Sequence, residues 1–300
     1  MPLVPHLNFA GGFQSLIRSE VERAQALRRL AAGESSGDLE ARGIVNKPVV
    51  NTGSTGFESG VDGILGIGPV NLTQGTLSPD INATIPTVTD NAFSQGIIPA
   101  KQIGIFFHPT FLTPVTNGEL TWGGVDKSKH TGPINYTPLT TTSPASKFWG
   151  INQSIRYGGS TNILSSTAGI VDTGSTLLLL ATDAYDRYRA ATGAVLDSNT
   201  GLLRITPAQY KNLKSLFFTT NGVTYEFVPN AQLWPRSLNL DIGGKVGDIY
   251  LIVADLGTPS GEGLDFINGY TFLERFYTVF DTGNQRVGFA KTRFTNKNIN

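Results

Sequence analysis

The chain of 300 residues contains no cysteine. It therefore has no disulfide framework, no thiol nucleophile and no thiolate ligand for a metal ion. Histidine is also scarce: His6, His108 and His130 form no H-x-x-x-H or H-x-H pair, so we expect surface histidines rather than ligands. From this composition we expect neither a metal nor a cofactor.

The chain also has few charged residues and no long apolar run. Charged residues make up only 15% of the chain, and the formal net charge is zero. No lysine or arginine run could follow a phosphate backbone, which argues against nucleic acid as a partner. No apolar run approaches the roughly 18 residues of a membrane span, so we expect no membrane association. The first residues lack the apolar core of a signal peptide, so we expect no export signal in the chain as written.

Glycine, proline, threonine and serine are abundant, and they separate short β-branched and aromatic stretches from about Gly60 onward. This pattern predicts many short strands and an all-β fold. The length allows one large domain or two lobes that each have a core. The polar, proline-containing segment 140–147 is the predicted boundary between two lobes. Helices are predicted within the strand region at 182–194 and 206–218, the second with Thr206 as N-cap and Pro207 in its first turn.

One longer helix is predicted before the strands, because apolar residues recur at steps of three and four from Phe13 to about Ala32. Its polar side is basic, with Arg18, Arg23, Arg28 and Arg29 against Glu20 and Glu22. It could be an ordinary amphipathic surface helix. It could equally be a detachable prosegment whose basic residues cover an acidic cleft. The pattern leaves both interpretations open.

The chemistry-bearing motif of the chain is "GIVDTGSTLLLL", in which Asp172 lies between two apolar stretches. Gly174 allows a sharp turn after Asp172, and the hydroxyls of Thr173, Ser175 and Thr176 can support the loop and its carboxylate. We therefore expect Asp172 to be buried at the end of a strand. Burial without a positive partner is costly, and no lysine or arginine is near it in sequence. This combination favours a functional site over a structural core aspartate.

Four motifs together resemble the pepsin-like aspartic endopeptidases of peptidase family A1. They are "VDTGST" at 171–176, "VDGILGIGPV" at 61–70, "DFINGYTFLERFYTVFD" at 265–281 and "NQRVGFA" at 284–290. The likeness runs from about Phe57 to Phe294 and is greatest to secreted, cysteine-free fungal members of the polyporopepsin type. It implies a bilobal all-β fold with an incomplete N-terminal lobe and an essentially complete C-terminal lobe. The expected divisions are a prosegment-like region at 1–46, a partial first lobe at 47–146 and a second lobe at 147–300.

The resemblance also implies a mechanism, in which each lobe supplies one aspartate to the cleft and Asp172 is that of the second lobe. One carboxyl group holds a proton, and the other polarises a water that attacks the peptide carbonyl. A hydrophobic-hydrophobic-glycine strand braces each loop. The implied braces are Ile64, Leu65 and Gly66 in the first lobe, and Phe266, Ile267 and Gly269 in the second. The resemblance further implies a secreted, monomeric zymogen that acts on proteins or peptides.

The first lobe lacks an obvious catalytic aspartate. "VVNTGSTGF" at 49–57 nearly repeats "IVDTGSTLL" at 170–178, but Asn51 stands where the second copy has Asp172. Asp172 precedes Gly269 by 97 positions, whereas Asn51 precedes Gly66 by only 15, too few for the hairpins of a duplicated lobe. We therefore expect a block of roughly a hundred residues with the first D-T-G to be absent, through a splice event or a faulty gene model. With one catalytic aspartate left, little or no activity is expected.

Two other interpretations stay open: a non-catalytic or peptide-binding remnant, and a homodimer that pairs two copies of Asp172. A second D-T-G begins at Asp281, but no apolar strand follows it, so we interpret Asp281 as structural. The G-x-S-x-G match at 33–37 follows a helix rather than a strand and is not a nucleophile elbow. Four N-x-S/T sequons, which matter only in a secretory path, begin at Asn71, Asn82, Asn135 and Asn152.

Overall fold

The computed structural model describes residues 2–3, 14–31, 65–110 and 117–299. Within these ranges the chain consists mainly of short strands, which confirms the all-β prediction. The α-helices are α1 (Gln14–Ala31), α2 (Val88–Ser94), α3 (Thr182–Thr192), α4 (Pro207–Lys211) and α5 (Tyr270–Leu273). The strands are β1 (Pro2–Leu3), β2 (Gln102–Phe107), β3 (Gly118–Trp122), β4 (Thr131–Pro138), β5 (Gly150–Tyr157), β6 (Thr161–Val171), β7 (Leu178–Leu180), β8 (Val195–Leu196), β9 (Leu203–Ile205), β10 (Leu216–Thr220), β11 (Val223–Phe227), β12 (Ile249–Leu251), β13 (Val253–Asp255), β14 (Phe266–Asn268), β15 (Phe276–Asp281) and β16 (Arg286–Lys291).

The strands form three sheets. A six-stranded sheet has the order β1-β3-β2-β15-β16-β4, a seven-stranded sheet has the order β11-β10-β5-β6-β14-β7-β13, and β12-β9-β8 form a third. The chain passes from the first sheet to the second between β4 and β5, through the segment 140–147. The last hairpin then returns to the first sheet, where β15 pairs with β2 and β16 pairs with β4. The beginning and the end of the chain are thus joined in one sheet.

The predicted C-terminal hairpin is confirmed, since β15 and β16 pair antiparallel from Phe276 opposite Lys291 to Asp281 opposite Arg286. The Asp281 carboxylate accepts hydrogen bonds from the main-chain N–H and the side-chain amide of Asn284, and from Arg286 Nε at 2.8 Å. A carboxylate engaged in this way holds the turn in place. This agrees with the structural interpretation of Asp281.

The core is rich in aromatic side chains. Phe272 of α5 lies at its centre, with ring centroids 5.1 Å from Phe218 and 4.9 Å from Phe276. Phe227 and Phe289 also contact the Phe272 ring. Because Phe218 and Phe227 belong to the seven-stranded sheet and Phe276 and Phe289 to the six-stranded sheet, this cluster fastens the two sheets together.

One helical prediction is wrong in its second half. Thr206 caps α4 as expected: its hydroxyl accepts from Gln209 N–H, and the Gln209 side chain accepts from Thr206 N–H. The helix ends at Lys211, however, and residues from Leu216 form β10, which pairs with β5 and β11. Buried and half-buried side chains alternate along β10, as in a strand with one face in the core. Pairing with the distant β5 and with the adjacent β11 therefore overrides the helical pattern of 212–218.

The other two predicted helices, near 13–32 and 182–194, are confirmed as α1 and α3. α3 ends at Gly193, whose φ of 67° is readily adopted only by glycine. In α1, Ala24 and Leu27 are buried against the main core. In the part of the chain that the structure describes, no helix is long and apolar enough to cross a membrane.

Candidate active site

The predicted catalytic loop follows β6, which ends at Val171, and Asp172 is 7% exposed. Its Oδ1 accepts from Gly174 N–H at 3.0 Å, and its Oδ2 accepts from the Ser175 hydroxyl at 2.7 Å. Thr173 and Thr176 are half-buried and make no hydrogen bond to Asp172 among the described residues. The turn at Gly174 and the hydroxyl of Ser175 thus hold the carboxylate from within its own loop.

β14 lies directly beside this loop. It runs parallel to β6 with Ile267 opposite Ile170, and Asp172 N–H donates to Asn268 O at 3.1 Å. A side chain at Gly269 would overlap the carbonyl oxygen of Leu177, so only glycine permits this close approach. Phe266 and Ile267 are fully buried. The second-lobe brace residues therefore lie under the Asp172 loop.

The brace predicted for the first lobe is not found among the described residues. Ile64 lies outside them, as do Asn51 and the whole "VVNTGSTGF" segment. Leu65 and Gly66 belong to no strand, and Leu65 is 39% exposed. No described residue therefore forms a first-lobe counterpart of the Asp172 loop.

α1 packs its polar side directly onto Asp172. Arg23 Nε donates to Asp172 Oδ2 at 2.8 Å, and Arg23 Nη2 donates to Oδ1 at 3.0 Å, in a two-pronged ion pair. No lysine or arginine lies near Asp172 in sequence, and its positive partner comes from 149 positions earlier in the chain. Sequence proximity could not reveal this contact.

Two further side chains of α1 fasten the helix to the same region. Glu20 accepts hydrogen bonds from Thr176 N–H at 2.9 Å and from Leu177 N–H at 3.4 Å. Arg28 donates to Leu264 O at 2.7 Å and contacts the Thr258 hydroxyl. Glu20 was not singled out from the sequence. Its spacing of three residues from Arg23 puts both side chains on one helical face. Only the structure shows that this face contacts the Asp172 loop.

Where α1 meets the Asp172 loop, the pKa values of Asp172 and Glu20 shift in opposite directions. Burial opposes the ionisation of Asp172, but the Arg23 guanidinium and the hydrogen bonds from Ser175 and Gly174 outweigh it and hold the pKa of Asp172 below its ordinary value. Burial raises the pKa of Glu20 to about 7, against the opposing effects of Thr176 N–H and Arg23. In mildly acidic solution Asp172 is therefore ionised while Glu20 is protonated.

No metal centre accompanies this arrangement within the described ranges, since no group of three or more metal-ligating side chains occurs there. Asp172 can accept about four hydrogen bonds, two at each oxygen. Gly174, Ser175 and the two nitrogens of Arg23 supply four donors. The carboxylate is thus saturated by protein groups.

The family model described as eukaryotic aspartyl protease matches residues 38–292. The chain belongs to the eukaryotic aspartyl protease family. This confirms the resemblance drawn from the four motifs. Polyporopepsin of Irpex lacteus is 65% identical over 82% of this chain and 72% of its own length. The crystal structure of the aspartic proteinase from Irpex lacteus matches with a TM-score of 0.80 and 65% identity, over 82% of this chain and 72% of that one.

More distant relatives in the family are covered less fully. Pepsin A of Suncus murinus is 29% identical over 79% of this chain, which spans 56% of that protein. Cathepsin E of Aquarana catesbeiana is 29% identical over 82% of this chain, which spans 57% of that protein. This aspartyl protease chain therefore covers little more than half the length of these two relatives. The pepsin-like fold expected from the motifs is confirmed by the structural match.

Proposed function

We propose that this chain is an aspartic endopeptidase by descent, with Asp172 as its one retained catalytic acid, and that its activity as it stands is lost or strongly impaired. The observation that supports this most is the two-pronged ion pair between Arg23 and Asp172. Hydrolysis by paired aspartates needs one protonated carboxyl group and one that polarises a water. Here a guanidinium takes the positions on Asp172 that the water and the partner acid would occupy.

The absence of a second aspartate is the other half of this proposal. The chain spans 72% of polyporopepsin, and the spacing from Asn51 to Gly66 is too short for the first-lobe hairpins. Both observations support the loss of an internal block that carried the first D-T-G loop. Glu20 is a carboxyl group from α1 near the Asp172 loop, but it is engaged by Thr176 and Leu177 N–H groups. It does not supply the water-sharing partner that the mechanism requires.

We assign an inhibitory role to α1 within the prosegment-like region 1–46. Its contacts through Glu20, Arg23 and Arg28 reach residues of the proposed second lobe at 147–300. The partial first lobe would then be 47–146. This favours the prosegment interpretation of the basic helix over that of an ordinary surface helix. In this proposal the intact parent enzyme is a monomeric, extracellular zymogen that cleaves proteins or peptides.

Two alternative interpretations are a homodimer and a peptide-binding remnant. A homodimer that pairs two copies of Asp172 would first have to displace α1 from that face. A peptide-binding remnant is favoured by one observation, the exposure of apolar side chains in the first-lobe segment: Leu77 is 41% exposed, Ile81 61%, Phe93 41% and Ile97 70%. This surface could bind a partner without any catalysis.

The test is hydrolysis of a denatured protein by the purified full chain between about pH 3 and 5, the range in which paired carboxyl groups share a proton. A pepstatin-type inhibitor is the control for contaminating proteases. We expect no turnover that this inhibitor blocks. Inhibitor-sensitive turnover at the rate of a complete family member would refute the proposed impairment.

A further inference from the structure

We propose that Asn71 and Asn82 carry N-linked oligosaccharides when this chain passes through a secretory path, and that Asn135 and Asn152 do not. All four residues head N-x-S/T sequons, so the sequence alone ranks them equally. The structure divides them into two pairs. The inference concerns modification only and does not depend on catalytic activity.

Asn71 and Asn82 both lie in exposed turns of the first-lobe segment. Asn71 is in a 3-10 helix at Val70–Thr73, and Asn82 is in the turn that follows Pro79. Neither side-chain amide is hydrogen-bonded to a described residue. Their main-chain oxygens are engaged instead: that of Asn71 accepts from Gln74 N–H at 3.2 Å, and that of Asn82 accepts from Gln74 Nε2 at 3.3 Å. An oligosaccharide on either amide would point into solvent without breaking a contact of the fold.

Asn135 and Asn152 instead lie inside paired strands. Asn135 is half-buried in β4, opposite Phe289 of β16, and lies beside the Tyr225 hydroxyl, which donates to Phe289 O at 3.4 Å. Asn152 is exposed, but it lies in β5, which has a strand on either side, and its Oδ1 accepts from the Thr140 hydroxyl at 2.9 Å. A bulky group on either Nδ2 would crowd the side chains of the neighbouring strands.

The proposed step joins Asn Nδ2 to the anomeric carbon of an oligosaccharide carried on a lipid pyrophosphate. The new N–C bond replaces the C–O bond to the pyrophosphate, the amide loses one proton, and the lipid pyrophosphate leaves. The host transferase also reads the hydroxyl of the sequon. In the folded chain Thr73 is only 1% exposed, and its hydroxyl is engaged by Val70 O and Ile85 N–H, each at 2.7 Å. Transfer to Asn71 must therefore precede the folding of this segment. The proposal thus requires that the segment around Asn71 folds after transfer and that β4 and β5 pair before it.

The two sites also flank an apolar surface. Leu77 and Ile81 are large exposed hydrophobic residues between Asn71 and Asn82, and a hydrogen bond of 2.7 Å from Gly75 N–H to Ile81 O closes their loop. Oligosaccharides at both ends of this loop would shield it from other molecules. Loss of both should lower the soluble yield of the secreted chain.

The test expresses the full chain behind a cleavable secretion leader in a eukaryotic host and analyses both the retained and the secreted protein. Intact masses are compared before and after enzymatic removal of N-linked chains. We expect two oligosaccharides, and the loss of one in Asn71→Gln and one in Asn82→Gln. Asn135→Gln and Asn152→Gln are the matched controls and should lose none. Unmodified Asn71 or Asn82 in both pools overturns the proposal for that site, and an oligosaccharide on Asn135 or Asn152 overturns the ranking.

Discussion

At the scale of single residues, Arg23 and Asp172 form an ion pair that is nearly closed to water, with 13% and 7% of their side chains exposed. A pair in such a place costs desolvation free energy, and its attraction balances that cost only while both partners are present. Removal of one partner leaves the other as an uncompensated buried charge. The docking of α1 therefore depends on this pair more than on any surface contact of the helix.

Arg23→Ala should release α1 from the Asp172 loop. Loss of one partner of a buried pair typically costs about 3 kcal/mol or more, so we expect the free energy of unfolding to fall by about that amount. Hydrogen exchange of the α1 amides measures the release directly. Arg29→Ala, at an exposed position of the same helix, is the matched control and should leave exchange unchanged. Equal protection of α1 in both variants would contradict this role of Arg23.

Glu20 should give the docking of α1 a distinctive pH dependence. Its pKa is about 7 in the docked state against an ordinary 4.5, so docking takes up a proton, and this contribution is present below pH 4.5 and lost as the pH rises through 7. Asp172 acts oppositely: its lowered pKa gives a contribution that is present above its ordinary value and lost as the pH falls through the docked value. Docking should thus be strongest in mildly acidic solution.

Glu20→Gln separates these two effects. The amide oxygen of glutamine can still accept from Thr176 N–H but cannot ionise. We expect the wild-type helix to become more sensitive to added protease between about pH 4.5 and 7, with a limiting loss of about 3 kcal/mol that follows from the raised pKa. The Glu20→Gln helix should keep constant sensitivity over that range. If the protease sensitivity of α1 rose equally with pH in both chains, Glu20 would not be the titrating group.

At the scale of elements, the sequence predicted what local signals specify and missed what distant contacts decide. The period of α1, the capping box of α4 and the turn at Asp281 are all local, and all three are confirmed. The helical prediction for β10 is wrong because its strand character comes from pairing with the distant β5 as well as with the adjacent β11. For the site, Gly174 and Ser175 were found beside Asp172 in the motif, whereas the contact with Arg23 spans 149 positions.

Alanine substitutions in β10 test its strand assignment. Phe218 is fully buried against Phe227 and Phe272, whereas Phe217 is half-buried on the other face. Phe218→Ala should lower the free energy of unfolding by about 4 kcal/mol, the usual cost of removing a buried ring. Phe217→Ala should cost much less. If chemical denaturation showed similar losses of unfolding free energy for the two variants, the alternation of buried and half-buried side chains along β10 would be contradicted.

At the scale of the whole molecule, the six-stranded sheet unites strands from both halves of the chain, since β15 lies between β2 and β16. The aromatic cluster around Phe272 joins this sheet to the seven-stranded one. The Asp172 loop is thereby held in place in a chain that spans only 72% of polyporopepsin. The proposed loss of catalysis is compatible with a preserved loop geometry, because one acid can be well positioned without a partner.

The most direct test of the central claim is peptide hydrolysis by the Arg23→Ala chain at about pH 4, compared with the double variant Asp172→Asn with Arg23→Ala. Release of α1 frees Asp172, so inactivity that remains in the folded variant is explained by the proposed lack of a partner acid. We predict no pepstatin-sensitive turnover by either variant. Turnover by Arg23→Ala that disappears with Asp172→Asn would show that the chain contains a second working acid, and would contradict the account.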